Sequence, residues 1–214
     1  MNMYCDFQVP RGLLKILVAV LLFLPAGALA AGSPEDVRSG YDSRDPCSLA
    51  PITVPELPGI IPGYTELDPE TGLHVTGNAQ RIDLQSYVLE ITGKVTRPLS
   101  LKYDDLRCLP RITSRPTLTC PGFFEDTATW SGASLEYVLE LAGARESSTH
   151  IRLVSADGYA ALVEMKEALS GENYLAYEWE GKPIPVLHGF PVRAVFPGSN
   201  GNRWVKWLVR IEVQ

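Results

Sequence analysis

Apolar and polar positions change their spacing several times along this chain, and each change marks an element. In SYVLEITGKV (86–95), Tyr87, Leu89 and Ile91 alternate with Val88, Glu90 and Thr92. That period of two predicts a strand, closed by a turn at Gly93. Leu101 to Leu109 reads as a short helix capped by Ser100 and stopped by Pro110, and TLTC (117–120) as the next strand. In SLEYVLELAGA, Leu135, Val138, Leu139 and Ala142 fall at i, i+3, i+4 and i+7, which gives a helix one apolar face, with Ser134 as cap and Gly143 as stop. IRLVSADGYAALV predicts a hairpin turning at Asp157-Gly158, and VEMKEALSG a short helix ending at Gly171. NYLAYEWEG, PVRAVFPG and RWVKWLVRIEV predict three further strands. The helices are few, short and irregularly spaced, so the pattern predicts an α+β, mainly β fold rather than a βαβ sheet.

Two stretches fall outside this alternation. Arg11 and Lys15 precede the apolar run Ile16 to Leu24, followed by Pro25 and Ala28-Leu29-Ala30, the layout of a secretory signal peptide cleaved after Ala30. The run is short for a membrane span, which needs ~20 apolar residues, so membrane attachment is expected only if the segment stays uncleaved. Residues 31–73 carry Pro34, Pro46, Pro51, Pro55, Pro58, Pro62 and Pro69 with few periodic apolar positions. They read as an extended arm or linker, leaving 74–214 as the compact domain.

Composition narrows the classes. The 214 residues are 45% hydrophobic and 21% charged, which suits one domain with a real core, and the formal net charge is −6. Removing residues 1–30 takes away Arg11, Lys15 and Asp6 and leaves −7, a poor match to nucleic acid. Of four cysteines, Cys5 leaves with the leader. A bridge between Cys47 and Cys108 is open to the chain and would leave Cys120 free. There is no HExxH, CxxC, GxSxG or phosphate-loop signature, and His74, His150 and His188 lack metal-ligand spacing, which argues against a zinc enzyme or a serine hydrolase.

Two features point to chemistry. Cys120 stands at a strand end before a Pro-Gly break, where a thiolate serves as a soft metal ligand or a nucleophile. The Gly- and Asn-rich loop GSNGNRWVKW (198–207) sets backbone N–H groups beside Arg203 and Lys206, the makings of an anion site.

Taken in order, TLTCPG, ATWSGASLEYVLELAG and LAYEWEGKPIPVLHGFPVRAVFPGSNGNRWVKWLVRIEV closely resemble the molybdopterin-binding domain of sulfite oxidase-type oxidoreductases, with DDLRCLP fitting the helix before the cysteine strand. The resemblance implies that fold, a molybdenum-molybdopterin cofactor, and Cys120 as the protein thiolate on the metal. It implies His188 and Arg193 as donors beside the pterin, and Arg203 and Lys206, with the backbone around Ser199, Asn200 and Gly201, as holders of the phosphate and pterin edge. Tyr177 corresponds to the tyrosine near the oxo group, a donor or proton relay. The implied activity is two-electron oxygen-atom transfer on a small molecule.

Departures from the family pattern sharpen these expectations. After the cysteine the family has AGNR-type residues and, five places on, a substrate-binding arginine; here the run is PGFFE, and Glu125 stands in that place. A carboxylate there would repel sulfite, so the expected substrate is a neutral or cationic molecule such as an S-oxide or N-oxide. The family's Arg-Asn-His run is replaced by GNAQRID, with Asn78 and Arg81 as substitutes. There is no haem CxxCH and no carboxyl-terminal immunoglobulin-like domain, so no haem and a separate electron partner are expected. The leader directs the protein to the periplasm or another exported location, yet Pro10-Arg11-Gly12 is not a twin-arginine pair. That leaves a second reading, a cofactor-free binding module on the same fold, and a third, a redox protein using the Cys120 thiol directly.

Overall fold

The computed structural model describes residue 47 and residues 49–214; the leader and the first part of the arm lie outside them. Pro46–Gln214 forms one compact unit. The alternating run at 86–95 forms β1 (Leu89–Gly93), which puts Leu89 and Ile91 inward, both fully buried. A strand the pattern did not separate, β2 (Leu99–Leu101), pairs antiparallel with β1 and takes in Ser100. The following helix α1 (Tyr103–Arg107) therefore starts later than the spacing predicts. Its cap is Lys102, whose N–H donates to the Asp105 carboxylate at 2.8 Å.

The middle of the chain holds the strands that are hardest to read. β3 (Arg111–Ser114) and β6 (Trp130–Ser134) pair antiparallel, and β4 (Thr117–Cys120) and β5 (Phe124–Thr127) form a separate hairpin that carries the free cysteine. β6 was hidden because all its residues but Ser134 are buried, so no alternation shows. α2 (Leu135–Ala142) matches its prediction: Ser134 Oγ accepts from Tyr137 N at 3.3 Å, and Gly143 ends it at φ +64°. β7 (His150–Ser155) and β8 (Ala160–Glu164) are the predicted hairpin, and α3 (Met165–Ala168) is one turn long.

The last third supplies β9 (Tyr174–Trp179), β10 (Lys182–Pro183), β11 (Arg193–Val195) and β12 (Leu208–Val213). RWVKWLVRIEV is strand only from Leu208; Gly201–Arg203 forms a 3-10 turn, and Trp207 takes φ +47°. Strand order is β2-β1-β12-β7-β8 in one sheet and β10-β9-β6-β3 in the other, with β11 also on β9. β1 and β12 run parallel, which closes the domain by joining its two ends. One hydrophobic cluster includes Ile91, Leu153 and Ile211 from the first sheet, Ala133, Leu175 and Ala194 from the second, and the apolar face of α2. The fold is mainly β, as the pattern predicts, with three short α-helices among the described residues. No helix among the described residues is long and apolar enough to cross a membrane.

The described part of the arm belongs to this unit. Cys47 is bridged to Cys108, just after α1, with a Cα–Cα distance of 5.7 Å, and Cys120 is the free cysteine of the described residues. Further along, Asp68 and Leu73 are buried, and Leu67 bridges His74.

β6 and β9 approach closely at Gly132. A Cβ at Gly132 would run into the Leu175 carbonyl oxygen and the Ala176 Cα. Gly132→Ala is expected to lower stability by about 3 kcal/mol in denaturant titration, because neither obstacle is a flexible side-chain end.

Candidate active site

The site grows out of the two ends of the domain meeting. The segment HGFPVR makes a 3-10 turn (Val186–His188), a left-handed glycine at Gly189 with φ +113°, and then β11. A Cβ on Gly189 would lie 3.1 Å from Arg193 Cβ and from Lys206 Cα, so glycine allows HGFPVR and VKWL to pack against each other. Gly201 does the same for the cysteine hairpin: a Cβ there would sit 3.0 Å from Leu118 Cδ2, and Thr119 bridges Asn200. The result is a cavity of about 340 Å³ into which Cys120, His188, Arg193, Gly201 and Lys206 all face.

Two basic side chains, Arg193 buried and Lys206 partly buried, line this cavity with carbonyl partners. Arg193 is 2% exposed; Nη1 donates to the His188 carbonyl at 3.2 Å and Nη2 to the Trp204 carbonyl at 3.4 Å. Its guanidinium lies over Trp130 at 4.6 Å and Trp204 at 5.5 Å, and Nε is buried with no hydrogen-bond partner among the described residues. Burial pushes the Arg193 pKa down to about 10. Lys206 Nζ donates to the carbonyls of Leu187 at 2.9 Å and Thr76 at 3.0 Å. Burial, reinforced by Arg193, holds its pKa well below the usual lysine range.

His188 is the third member and it is neutral. Desolvation, then the charges of Lys206 and Arg193, push its pKa down to about 4 against the opposing pull of Asp68. Its Nε2–H donates to Asp68 Oδ2 at 2.9 Å, a hydrogen bond rather than an ion pair, and Thr71 Oγ1 lies 2.9 Å from the same nitrogen. Burial alone would raise the Asp68 carboxyl; hydrogen bonds from Thr71, His188 and Glu70 N outweigh it and hold it below the usual range.

Four predicted site residues lie elsewhere. Tyr177 is 1% exposed on β9 and turns away from the cavity, edge-on to Tyr103 at 6.2 Å; Arg111 lies 6.0 Å from its ring. Burial raises its phenol pKa. Strand alternation decides this outcome, because Ala176, beside it, is the residue opposite Arg193. Ser199 Oγ and Arg203 Nη1 both donate to Glu167 Oε1, at 2.7 and 3.0 Å, so α3 already fills the anion seat expected of them. Asn200 is the residue before the 3-10 turn and contributes backbone. Of the substitutes for the missing Arg-Asn-His run, Asn78 N donates to Asp157, while Arg81 lines a different groove. Glu125 is corrected too: it is exposed and accepts from Thr119 Oγ1 at 3.1 Å, whereas the next residue, Asp126, faces the cavity.

The pattern missed Asp126 and His74. His74 N and Nδ1 reach the two Asp126 carboxylate oxygens at 2.9 and 2.7 Å, and the His74 ring stacks on Phe124 at 4.3 Å. No spacing or motif marks either residue; the β4–β5 pairing that sets Phe124 opposite Cys120 is visible only in the structure.

Among the described residues no group of three or more His, Cys, Asp or Glu side chains could hold a metal. A metal here would rely on one thiolate and on donors from a cofactor. The donor set fits an anionic, oxygen- and nitrogen-rich cofactor: a buried and a partly buried basic side chain, an orphan N–H, a neutral histidine and a thiol line one cavity.

The "Oxidoreductase molybdopterin binding domain" family matches residues 76–214. The chain is 33% identical to human mitochondrial sulfite oxidase over 227 residues, covering 85% of this chain and 42% of that enzyme. It is 31% identical to the NADH nitrate reductase of Volvox carteri over 170 residues, 64% of this chain and 20% of that one. The sulfane dehydrogenase SoxCD of Paracoccus pantotrophus shares the fold, with a TM-score of 0.62 at 21% identity over 89% of this chain and 59% of that one. The chain thus belongs to the family of oxidoreductases with a sulfite oxidase-type molybdopterin-binding domain. It spans less than half the length of the sulfite oxidases it matches.

Neutral burial of His188 sets a pH dependence. Its folded pKa lies below the unfolded one, so the stability it contributes is whole above 6.5 and is lost as pH falls toward about 4. The full loss is about 3 kcal/mol. Thermal denaturation of His188→Asn between those limits is expected to show a flatter pH dependence than the parent protein.

Proposed function

We infer that this domain binds molybdenum-molybdopterin with the Cys120 thiolate as the protein's ligand, and acts in two-electron oxygen-atom transfer on a small molecule other than sulfite. The observation that carries the reading is that Cys120, Arg193, Lys206 and His188 line one cavity, together with the unpartnered Arg193 Nε. When bound, the cofactor supplies the two-electron oxygen-atom chemistry; the chain holds and tunes it. Arg193 Nε and the Lys206 ammonium offer donors to its anionic and pterin edges, already desolvated and held by carbonyls, so little rearrangement accompanies binding. His188, neutral and fixed by Asp68, keeps that cavity from gaining a third positive charge.

Substrate preference follows from the other residues that line the cavity. The carboxylates of Asp126 and Asp157 face it, and Phe124 and Tyr64 add aromatic surface. This favours a neutral or cationic oxide, an S-oxide or N-oxide, over a sulfite dianion. The Cys47–Cys108 bridge supports an exported, oxidising location, periplasmic or equivalent, with the leader removed. Electrons would pass to or from a separate carrier protein.

Metal analysis of protein purified from its native compartment tests the reading, with an expected content of about one molybdenum per chain. Cys120→Ser is expected to lower turnover of an S-oxide or N-oxide by about 100-fold while the fold is kept. Metal-free native protein, or efficient sulfite oxidation by the loaded protein, would refute it in its two halves respectively.

A further inference from the structure

With Tyr177 turned into the core, the cavity needs another group to move protons during oxygen transfer. We propose that His74, set by Asp126, is the proton-carrying residue of this cavity. The proposal rests on the oxygen-atom chemistry inferred above, and it comes from geometry that the sequence pattern did not reveal.

Asp126 grips His74 twice, through the backbone N–H at 2.9 Å and through Nδ1 at 2.7 Å. A carboxylate accepts only, so Nδ1 carries the hydrogen, and Nε2 is the nitrogen left over, with no hydrogen-bond partner among the described residues. Phe124 stacks on the ring with an interplanar angle of 12°, which limits rotation. His74, Phe124, Asp126 and Cys120 all line the cavity. The His74 side chain keeps 24% of its surface exposed and can exchange protons with solvent.

Several of the other polar groups at the cavity are committed, and Tyr64 is largely exposed to solvent. His188 spends Nε2 on Asp68 and is held neutral, Lys206 is fixed on two carbonyls, and Arg193 stays charged. Asp157 accepts from Tyr159 N at 2.9 Å, and the Tyr159 hydroxyl donates to the Asn202 carbonyl at 2.7 Å. An oriented imidazole with one nitrogen fixed by a carboxylate and the other free is the arrangement general acid–base chemistry uses.

The balance is as follows. In the reducing direction a substrate oxide takes two electrons from the separate electron carrier and two protons, and gives the reduced substrate and water. His74 in its imidazolium form gives one proton from Nε2 to the departing oxygen, the Nδ1–H···Asp126 bond persists, and solvent returns the proton to Nε2. The second proton comes from water. In the oxidising direction His74 accepts at Nε2 one of the protons that water releases. Asp126 acts as a positioning residue.

Two measurements test this. In metal-free protein in mildly alkaline buffer, nitrogen NMR of the His74 ring is expected to show a neutral imidazole protonated at Nδ1, and Asp126→Asn is expected to abolish that preference. In molybdenum-loaded protein, His74→Ala is expected to lower kcat by about 100-fold at unchanged molybdenum content, with added imidazole restoring about tenfold. A His74 ring protonated at Nε2, or a His74→Ala kcat within about threefold of the parent, overturns the proposal and leaves the cofactor reading standing. A parent protein that carries no molybdenum overturns both.

Discussion

Arg193, buried, and Lys206, partly buried, line one cavity, and much of the surrounding structure serves to tolerate their charge. Arg193 and Lys206 donate their hydrogen bonds to the carbonyls of His188, Trp204, Thr76 and Leu187, so the backbone, rather than a carboxylate, offsets their lost hydration. Indole faces of Trp130 and Trp204 add to this for Arg193. A third charge would be intolerable, and His188 is accordingly held neutral. Such an arrangement is poised for an anion, because binding one relieves a strain that folding has already accepted.

The same packing explains the local backbone. Gly189 lets two strand entries touch, and Trp207 holds φ +47° with its Nε1–H donating to the Val186 carbonyl at 2.8 Å. A bulky residue keeps that conformation only when its neighbours determine it from every side. The cysteine hairpin belongs to neither large sheet. It is tied on through the Thr119–Asn200 bridge and the Asp126–His74 pair, so the segment holding the thiol is positioned by polar contacts rather than by a sheet ladder.

The arm also gains meaning. Asp68 and Thr71, in a proline-rich stretch without periodicity, make the contacts that orient a cavity histidine 120 and 117 residues away. A segment that reads as linker thus completes the cavity wall.

Much of the fold was legible along the chain. α2 with its Ser134 cap and Gly143 stop, the Asp157-Gly158 hairpin, the TLTC strand and the β-rich class follow from propensities and spacings between near neighbours, which act wherever the chain is placed. The motifs also single out Cys120, His188, Arg193 and Lys206, which the structure brings to one cavity. What could not be read was which face of a strand meets the cavity and which partner reaches a side chain first. Tyr177 and Glu125 sit one residue away from the positions that face inward or pair with the site, and Arg203 meets Glu167, 36 residues back. A one-residue step along a strand reverses a side chain's direction, and a distant carboxylate can occupy a cation. Both outcomes depend on how remote segments pack, so they are settled only in three dimensions.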